Sequence, residues 1–148
     1  MTANDQEAGM TKAPYEAIQL EHLPELEYEE QPEDIDWRPI RIHFGISAFG
    51  VNVFSGKKGA QVIIEHSESE ESGTRHEELY FVAEGRATFT IVGEHVDAPA
   101  GTFVYVPDPD SMRSAVAEED GTVILCLGGT PGEAFSVSPW EKQYDPAA

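Results

Sequence analysis

The chain has 148 residues, of which nine are lysine or arginine and 28 are aspartate or glutamate, so its formal net charge is −19. A chain of this length can form a hydrophobic core without disulfides. Its one cysteine, Cys126, excludes an intrachain disulfide, and we expect it to be a buried, unreactive thiol. The negative charge repels nucleic acids and anionic membrane surfaces, so neither is an expected partner.

The acidic residues are concentrated at the N-terminus. Residues 1–36 hold 11 acids and one base, a net charge of −10, whereas the rest of the chain has a net charge of −9. The start "MTANDQEAGM" lacks the basic and apolar regions of a signal peptide, and no apolar run approaches the roughly 18 residues of a membrane span. We therefore expect a cytoplasmic protein with an acidic, partly disordered leader over residues 1–36 and a barrel domain over residues 37–148.

Within the leader, residues 1–13 are expected to be disordered and "YEAIQL" (15–20) to form a short edge strand. The remaining leader residues indicate an acidic linker interrupted by Pro24 and Pro32. The sequence leaves open whether the leader is only solvated, binds a partner or reflects a salt-adapted host.

Short runs rich in valine, isoleucine, phenylalanine and threonine follow, with turn residues between them. Spacings of roughly 8–12 residues are typical of an all-β sandwich or barrel. A short helix is predicted only at "SPWEKQ" (138–143), where Ser138 and Glu141 suit a capping box and Pro139 suits the first helical position. The predicted strands are "RPIRIHF" (38–44), "AFGVNVF" (48–54), "QVIIEH" (61–66), "EELYFVAEG" (77–85), "RATFTIV" (86–92), "TFVYVP" (102–107), "RSAVAEE" (113–119) and "TVILCLG" (122–128).

The strand that contains "RHEELYFVA" carries polar residues at one end. Side chains alternate between the two faces of a strand, so His76, Glu78, Tyr80 and Val82 share one face, and Glu77, Leu79, Phe81 and Ala83 share the other. Both faces become apolar beyond Glu78. The pattern therefore predicts a strand buried on both sides, with a histidine and a glutamate on one face at its end.

The stretch "EELYFVAEGRATFTIVGEHVDAPAGTFVYVP" resembles the core of the cupin superfamily. Glu78 and Gly85 have the glutamate–six residues–glycine spacing of the first cupin motif, and "APAGTFVYVP" (98–107) is similar to the start of the second. The resemblance covers about residues 37–137 and is most similar to small bacterial cupin-domain proteins. It implies a double-stranded β-helix, which is a small jelly-roll barrel, with a short N-terminal extension and little helix. It also implies a homodimer.

The resemblance also implies a metal site, because cupins bind a divalent ion through a His-x-His pair, the glutamate and a later histidine. Glu78 is in place, but positions 71–74, where the pair is expected, read "ESGT". His76 lies two residues before Glu78, and His66 ends the preceding predicted strand. Near the later histidine position the chain reads "PDPDSMRS", which offers Met112 and Arg113. The usual four-ligand site is therefore not intact.

Two kinds of site stay open. His66, His76 and Glu78 could form a rearranged site for one divalent transition metal (Fe, Mn, Ni or Zn), or His76 and Glu78 could be a hydrogen-bonded pair. Ligand-binding candidates inside the barrel are His43, Tyr80, Met112 and Arg113. An inward Arg113 could pair with Glu78 or receive a ligand carboxylate, whereas an outward one is an ordinary surface arginine.

Three functions are compatible with these residues. The first is a cupin that binds a small molecule inside the barrel, with or without a metal. The second is a metal-dependent oxygenase or isomerase of the cupin type. The third is a non-catalytic dimeric interaction module that uses the apolar outer face of Leu79 and Phe81. The sequence does not decide whether the chain is an enzyme, because one fold carries many functions.

Overall fold

The computed structural model describes residues 13–28, 31–69 and 74–146. In this part of the chain a 3-10 turn, Leu20–His22, precedes the strands, and two short helices are present, α1 (Ile40–Phe44) and α2 (Pro139–Lys142). No helix of the described residues is long and apolar enough to span a membrane. The strands are β1 (Ile35–Arg38), β2 (Gly50–Gly56), β3 (Ile63–His66), β4 (Glu77–Glu84), β5 (Arg86–Ile91), β6 (Glu94–Pro99), β7 (Phe103–Val106), β8 (Arg113–Ala117) and β9 (Thr122–Gly129).

The strands form two antiparallel sheets that share one core. The five-stranded sheet has the order β1-β2-β9-β4-β7, and the four-stranded sheet has the order β3-β8-β5-β6. The core contains inward side chains of both sheets, among them Val82 and Ile124 of the first and Phe89 and Ala115 of the second. The predicted all-β jelly-roll is therefore confirmed.

Strand β4 has the predicted alternation of faces, but its outer side is only partly buried, against the predicted burial on both sides. Tyr80 and Val82 are fully buried, and His76 and Glu78 are buried on the same side, whereas Phe81 on the outer side is only half-buried. β4 lies between β9 and β7, so its backbone bonds are satisfied on both edges. This position holds Glu78 and Tyr80 at the inside of the barrel.

The structure differs from the prediction at residues 38–44 and 92–99. "RPIRIHF" is not a strand, because β1 ends at Arg38 and α1 follows Pro39, whose missing N–H is tolerated at the start of a helix. α1 ends at Gly45, whose left-handed φ of 71° suits glycine. A strand that was not predicted, β6, follows the tight turn at Val92 and Gly93; it is an edge strand whose side chains are mostly exposed.

The N-terminal segment lies against the barrel without forming the predicted strand. "YEAIQL" has no strand; Leu20 begins the 3-10 turn, and Leu23 is buried. Leu26 forms an isolated bridge with Trp37 of β1. The disorder predicted for residues 1–13 falls almost entirely on residues 1–12, which lie outside the described residues, and the division of the chain at residue 37 stays a prediction.

The C-terminal helix is confirmed, but its predicted capping box is wrong. Ser138 makes no side-chain capping bond. Glu141 turns inward instead and accepts hydrogen bonds from Arg41 Nε at 2.5 Å and from Asn52 Nδ2 at 3.1 Å. Arg41 Nη2 also donates to Asp145 at 2.6 Å. These hydrogen bonds hold the C-terminal segment against α1 and β2.

The outer face of β4 and β7 exposes aromatic rings. Phe103 is 65% exposed and Tyr105 is 57% exposed. The ring centroid of Phe103 lies 4.5 Å from that of Phe81. The expected homodimer stays a prediction.

Gly85 provides a stability test of the turn between β4 and β5. It has a φ of +77°, and a Cβ there would lie 2.5 Å from Thr122 Oγ1 and 2.7 Å from Thr122 Cα. Gly59 also has a positive φ, of +91°, but a Cβ there meets no described atom within 4 Å. In urea denaturation, Gly59→Ala should therefore lose about 1–2 kcal/mol of unfolding free energy. Gly85→Ala should lose about 1–3 kcal/mol more, because the methyl group overlaps backbone. Equal losses in the two variants would contradict this packing.

Candidate functional site

A cavity of about 400 Å³ lies inside the barrel. Its walls include apolar side chains of β2 and β3, such as Phe54 and Ile63, and aromatic rings from both ends of the chain, Tyr28, Phe135 and Trp140. Its polar lining residues include Asn52, His66, Glu68, His76, Glu78, Tyr80, Cys126, Ser138 and Glu141. A concave, mostly apolar site with a few convergent polar groups is typical of small-molecule binding.

Glu78 accepts hydrogen bonds on both of its carboxylate oxygens. Its Oε1 accepts hydrogen bonds from the Tyr80 hydroxyl at 2.5 Å and from Arg113 Nη1 at 2.6 Å. Its Oε2 accepts from the Cys126 thiol at 3.4 Å. Burial, followed by the charge of Glu78, raises the pKa of Tyr80 and of Cys126 well above their usual values, so both keep the protons that they donate. Cys126 is therefore a protonated thiol, half-buried in the cavity wall.

Arg113 lies behind Glu78 and is fully buried. Besides Glu78, it donates from Nε to the Ser111 carbonyl at 2.8 Å and from Nη2 to the Asp108 carbonyl at 3.1 Å. A buried ion pair is tolerated when further hydrogen bonds satisfy its remaining groups, as they do here. Of the two alternatives for Arg113, the structure shows the inward side chain paired with Glu78.

Glu68 is the second buried acid, and it lies between two histidines. Its Oε2 is 3.0 Å from His66 Nε2, and its Oε1 is 3.4 Å from His76 Nδ1. Burial alone would raise the pKa of Glu68, but the hydrogen bonds and charges of the two histidines lower it to about 2. Glu68 is therefore an ionised carboxylate at the floor of the cavity.

His66 is oriented by its own strand. Its Nδ1 donates to the Ile64 carbonyl at 2.6 Å, which leaves Nε2 directed at Glu68 and, at 3.7 Å, at Glu78 Oε1. Burial works to lower the pKa of His66, but hydrogen bonds to Glu68 and Glu78, together with the Glu78 charge, raise it to about 10. The ring is thus an imidazolium that faces both acids.

His76 connects the acids to the C-terminal segment. Its Nε2 donates to the Ser136 carbonyl at 3.0 Å, and its ring stacks on Phe135 with centroids 5.2 Å apart and planes 22° apart. Burial acts to lower the pKa of His76, but the hydrogen bond and charge of Glu68 outweigh it and raise the pKa. His76 therefore pairs with Glu68 rather than with Glu78.

His66, Glu68 and Glu78 could hold a metal ion. One nitrogen of His66 and one oxygen of each glutamate all lie within 4.8 Å of one another. Imidazole and carboxylate are ligands for Mn, Fe and Zn, and the bond from His66 Nδ1 to a backbone carbonyl is the outer-shell contact that metal-binding histidines usually make. The donor set therefore fits a divalent ion, with the Arg113 guanidinium as a positive neighbour that weakens its binding.

The predicted site residues separate into two groups. His66, His76, Glu78 and Tyr80 meet at the cavity. His43 lies exposed on α1 against Phe44, because the element that was expected to turn it inward is a helix. Met112 is 37% exposed just before β8, since Arg113 takes the inward position there.

Sequence reasoning missed Glu68 and the C-terminal wall. Residues 66 and 68 have the i, i+2 spacing of the family's His-x-His pair, with a glutamate at the second place, and the longer stretch before Glu78 hides that spacing. This was the signal that could have identified Glu68. Phe135, Trp140 and Glu141 reach the cavity through contacts between residues far apart in sequence, which no local pattern shows.

No family model matches this sequence, and no curated protein matches it either. Solved structures do match this chain. KdgF from Halomonas sp. is 19% identical with a TM-score of 0.58, over 75% of this chain and 88% of that one. A cupin protein from Bacteroides fragilis is 19% identical with a TM-score of 0.61, over 88% and 96%. A sugar phosphate isomerase from a cupin superfamily, from Silicibacter pomeroyi, is 18% identical with a TM-score of 0.63, over 78% and 77%. With two antiparallel sheets around a cavity that has a polar cluster, and with these neighbours, the chain has the fold of the cupin superfamily.

Proposed function

We propose that this chain binds a small organic molecule in the barrel cavity, and that the cluster of His66, Glu68, His76 and Glu78 forms the polar end of the binding site. The observation that carries the proposal is this buried ionic cluster at the floor of a cavity of about 400 Å³. Buried charges are costly, and perturbed titratable groups in a cleft mark functional sites.

The cavity walls support binding of an organic molecule. Phe54, Ile63 and Trp140 offer apolar and aromatic surface, which contributes most of the affinity in such pockets. The cluster offers a charged acid–base pair, His66 and Glu68, at 3.0 Å. A ligand whose polar group reaches the cluster would be oriented by it.

A second candidate function is metal-dependent chemistry of the cupin type, and the three-ligand group of His66, Glu68 and Glu78 favours it. Some fold neighbours are isomerases by name, such as the sugar phosphate isomerase from Silicibacter pomeroyi. In this chain Nε2 of His66 would have to give up its proton, because a metal binds neutral imidazole. A bound ion would polarise an oxygen of the ligand.

Retention of a cellular ligand tests the first proposal. Wild-type protein purified under native conditions should carry an enriched small molecule that mass spectrometry detects after denaturation. Glu68→Gln should reduce it at least about tenfold, because the loss of one charged hydrogen-bonding group costs more than about 1.4 kcal/mol. The control is Glu65→Gln, which removes the same charge from an exposed position on β3. Equal retention in the two variants, or no enriched compound in the wild type, would contradict the proposal.

Uptake of Mn²⁺ and Zn²⁺ tests the second candidate. Tag-free wild-type protein should bind about one equivalent by calorimetry, with release of a proton. His66→Gln should weaken binding at least about tenfold, whereas His95→Gln, on the exposed strand β6, should not. Wild-type protein without measurable uptake, or the same affinity in both variants, would exclude this site.

The Glu78–Arg113 pair should show strong coupling in a double-mutant cycle. Arg113→Met should cost about 3–5 kcal/mol of unfolding free energy, because it leaves Glu78 buried without its cation. Glu78→Gln should also destabilise the protein, whereas the double variant should recover at least about 2 kcal/mol of the summed losses. Additive losses would show that the two side chains do not depend on each other.

A further inference from the structure

The described part of the chain offers no free cation to the cavity. Among the described residues that line it there is no lysine and no arginine. Arg113 lies behind Glu78, and its three donor nitrogens are directed at Glu78, Ser111 and Asp108. Arg41 lies behind Glu141, and its guanidinium donates to Glu141, Asp145 and, at 3.4 Å, to the Ile46 carbonyl. Neither guanidinium is therefore presented to a ligand.

The ring nitrogens of both cavity histidines, His66 and His76, also face other groups of the protein. Each has one ring nitrogen bonded to a backbone carbonyl, that of Ile64 for His66 and that of Ser136 for His76. The other nitrogen of each ring faces Glu68. An anionic ligand would have to compete with Glu68 for both rings, next to the carboxylate of Glu78.

Each lining carboxylate already faces a cationic or hydrogen-bonding group. Glu78 faces Arg113, Glu141 faces Arg41, and Glu68 faces both histidines. Among the described residues that line the cavity, an amine would therefore find no carboxylate without a cation beside it. The oxygens of these acids accept hydrogen bonds, which suits the O–H donors of an uncharged molecule.

The aromatic lining suits a ring. Tyr28 and Trp140 line the cavity and pack together with ring centroids 5.7 Å apart. Phe135, which belongs to the same C-terminal segment as Trp140, stacks on the ring of His76. Flat aromatic faces stack on the apolar faces of sugar-like or base-like rings and add to burial. The C-terminal segment therefore supplies the wall that such a ring would contact.

From these contacts we infer the class of ligand: an uncharged ring compound that carries hydroxyl groups, with phosphate esters, carboxylates and amines disfavoured. The inference rests on the proposed function, since it concerns the same cavity. The inferred ligand therefore differs from a sugar phosphate, which the name of the isomerase from Silicibacter pomeroyi would suggest.

Matched probes test this inference on the full chain. Glucose is compared with glucosamine and with its phosphate ester, and adenosine is compared with its monophosphate, by calorimetry and by the change in tryptophan fluorescence. In the set that binds, the uncharged member should bind at least about tenfold more tightly than its charged derivatives, because like charges placed together cost several kcal/mol. Tighter or equal binding of the phosphate or the amine would overturn the inference, as would the absence of binding in both sets.

A charge introduced into the wall checks that the measured binding occurs in the cavity. Ser138 lines the cavity and makes no side-chain capping bond, so Ser138→Lys adds a cation there. This variant should gain affinity for the phosphate ester, whereas Ser114→Lys, on the outer side of β8, should not. Equal effects of the two lysines would overturn the inference. Phosphate that binds tightly to wild-type protein, with an affinity that changes in Glu68→Gln, would overturn the ligand class and still support binding in the cavity.

Discussion

The buried ion pair between Glu78 and Arg113 is the constraint on which the site depends. Glu78 belongs to β4 of the five-stranded sheet and Arg113 to β8 of the four-stranded sheet, so their 2.6 Å contact joins the two halves of the barrel. Neither charge can be buried without the other. The pair therefore keeps polar groups at one end of the barrel interior, where apolar side chains would otherwise meet.

The second acid, Glu68, extends this pair into a cluster. It brings His66 of β3 and His76, just before β4, to one carboxylate, and His66 also lies 3.7 Å from Glu78. His66, Glu68 and Glu78 are also the candidate metal ligands, so a proton and a metal ion would compete for His66. The cluster continues through the His76 ring to Ser136 and Phe135, which lie on the segment that forms one wall of the cavity. Ligand binding at the ionic cluster is therefore connected, through the His76 ring, to the position of the C-terminal segment that forms this cavity wall.

Much of the fold could be predicted because it depends on local patterns. The spacing of short strands predicts an all-β sandwich or barrel, and the alternation along β4 predicts which side chains share a face. The choice of a jelly-roll barrel came from the resemblance carried by Glu78, Gly85 and the stretch 98–107. α1 was missed because its residues are β-prone, and Pro39 decides the change of structure. β6 was missed because an exposed edge strand carries no hydrophobic pattern.

The candidate site could be predicted only in part. Glu78 and His76 were placed on one face correctly, but the pairing of His76 with Glu68 depends on how β3 approaches β4 in space. The contacts of Glu141 with Arg41 span 100 residues, which local sequence does not show. At 18% and 19% identity the solved neighbours establish the fold, and the function has to be argued from the residues of this cavity.

The protonation of His66 tests the central claim most directly, because an ionised cluster requires both of its ring nitrogens to carry protons. Imidazole nitrogen chemical shifts, measured by NMR midway between the ordinary pKa of 6.5 and the raised value of about 10, report this state. We expect an imidazolium ring with both N–H groups hydrogen-bonded. A neutral His66 imidazole at that pH would contradict the ionic cluster at the floor of the cavity.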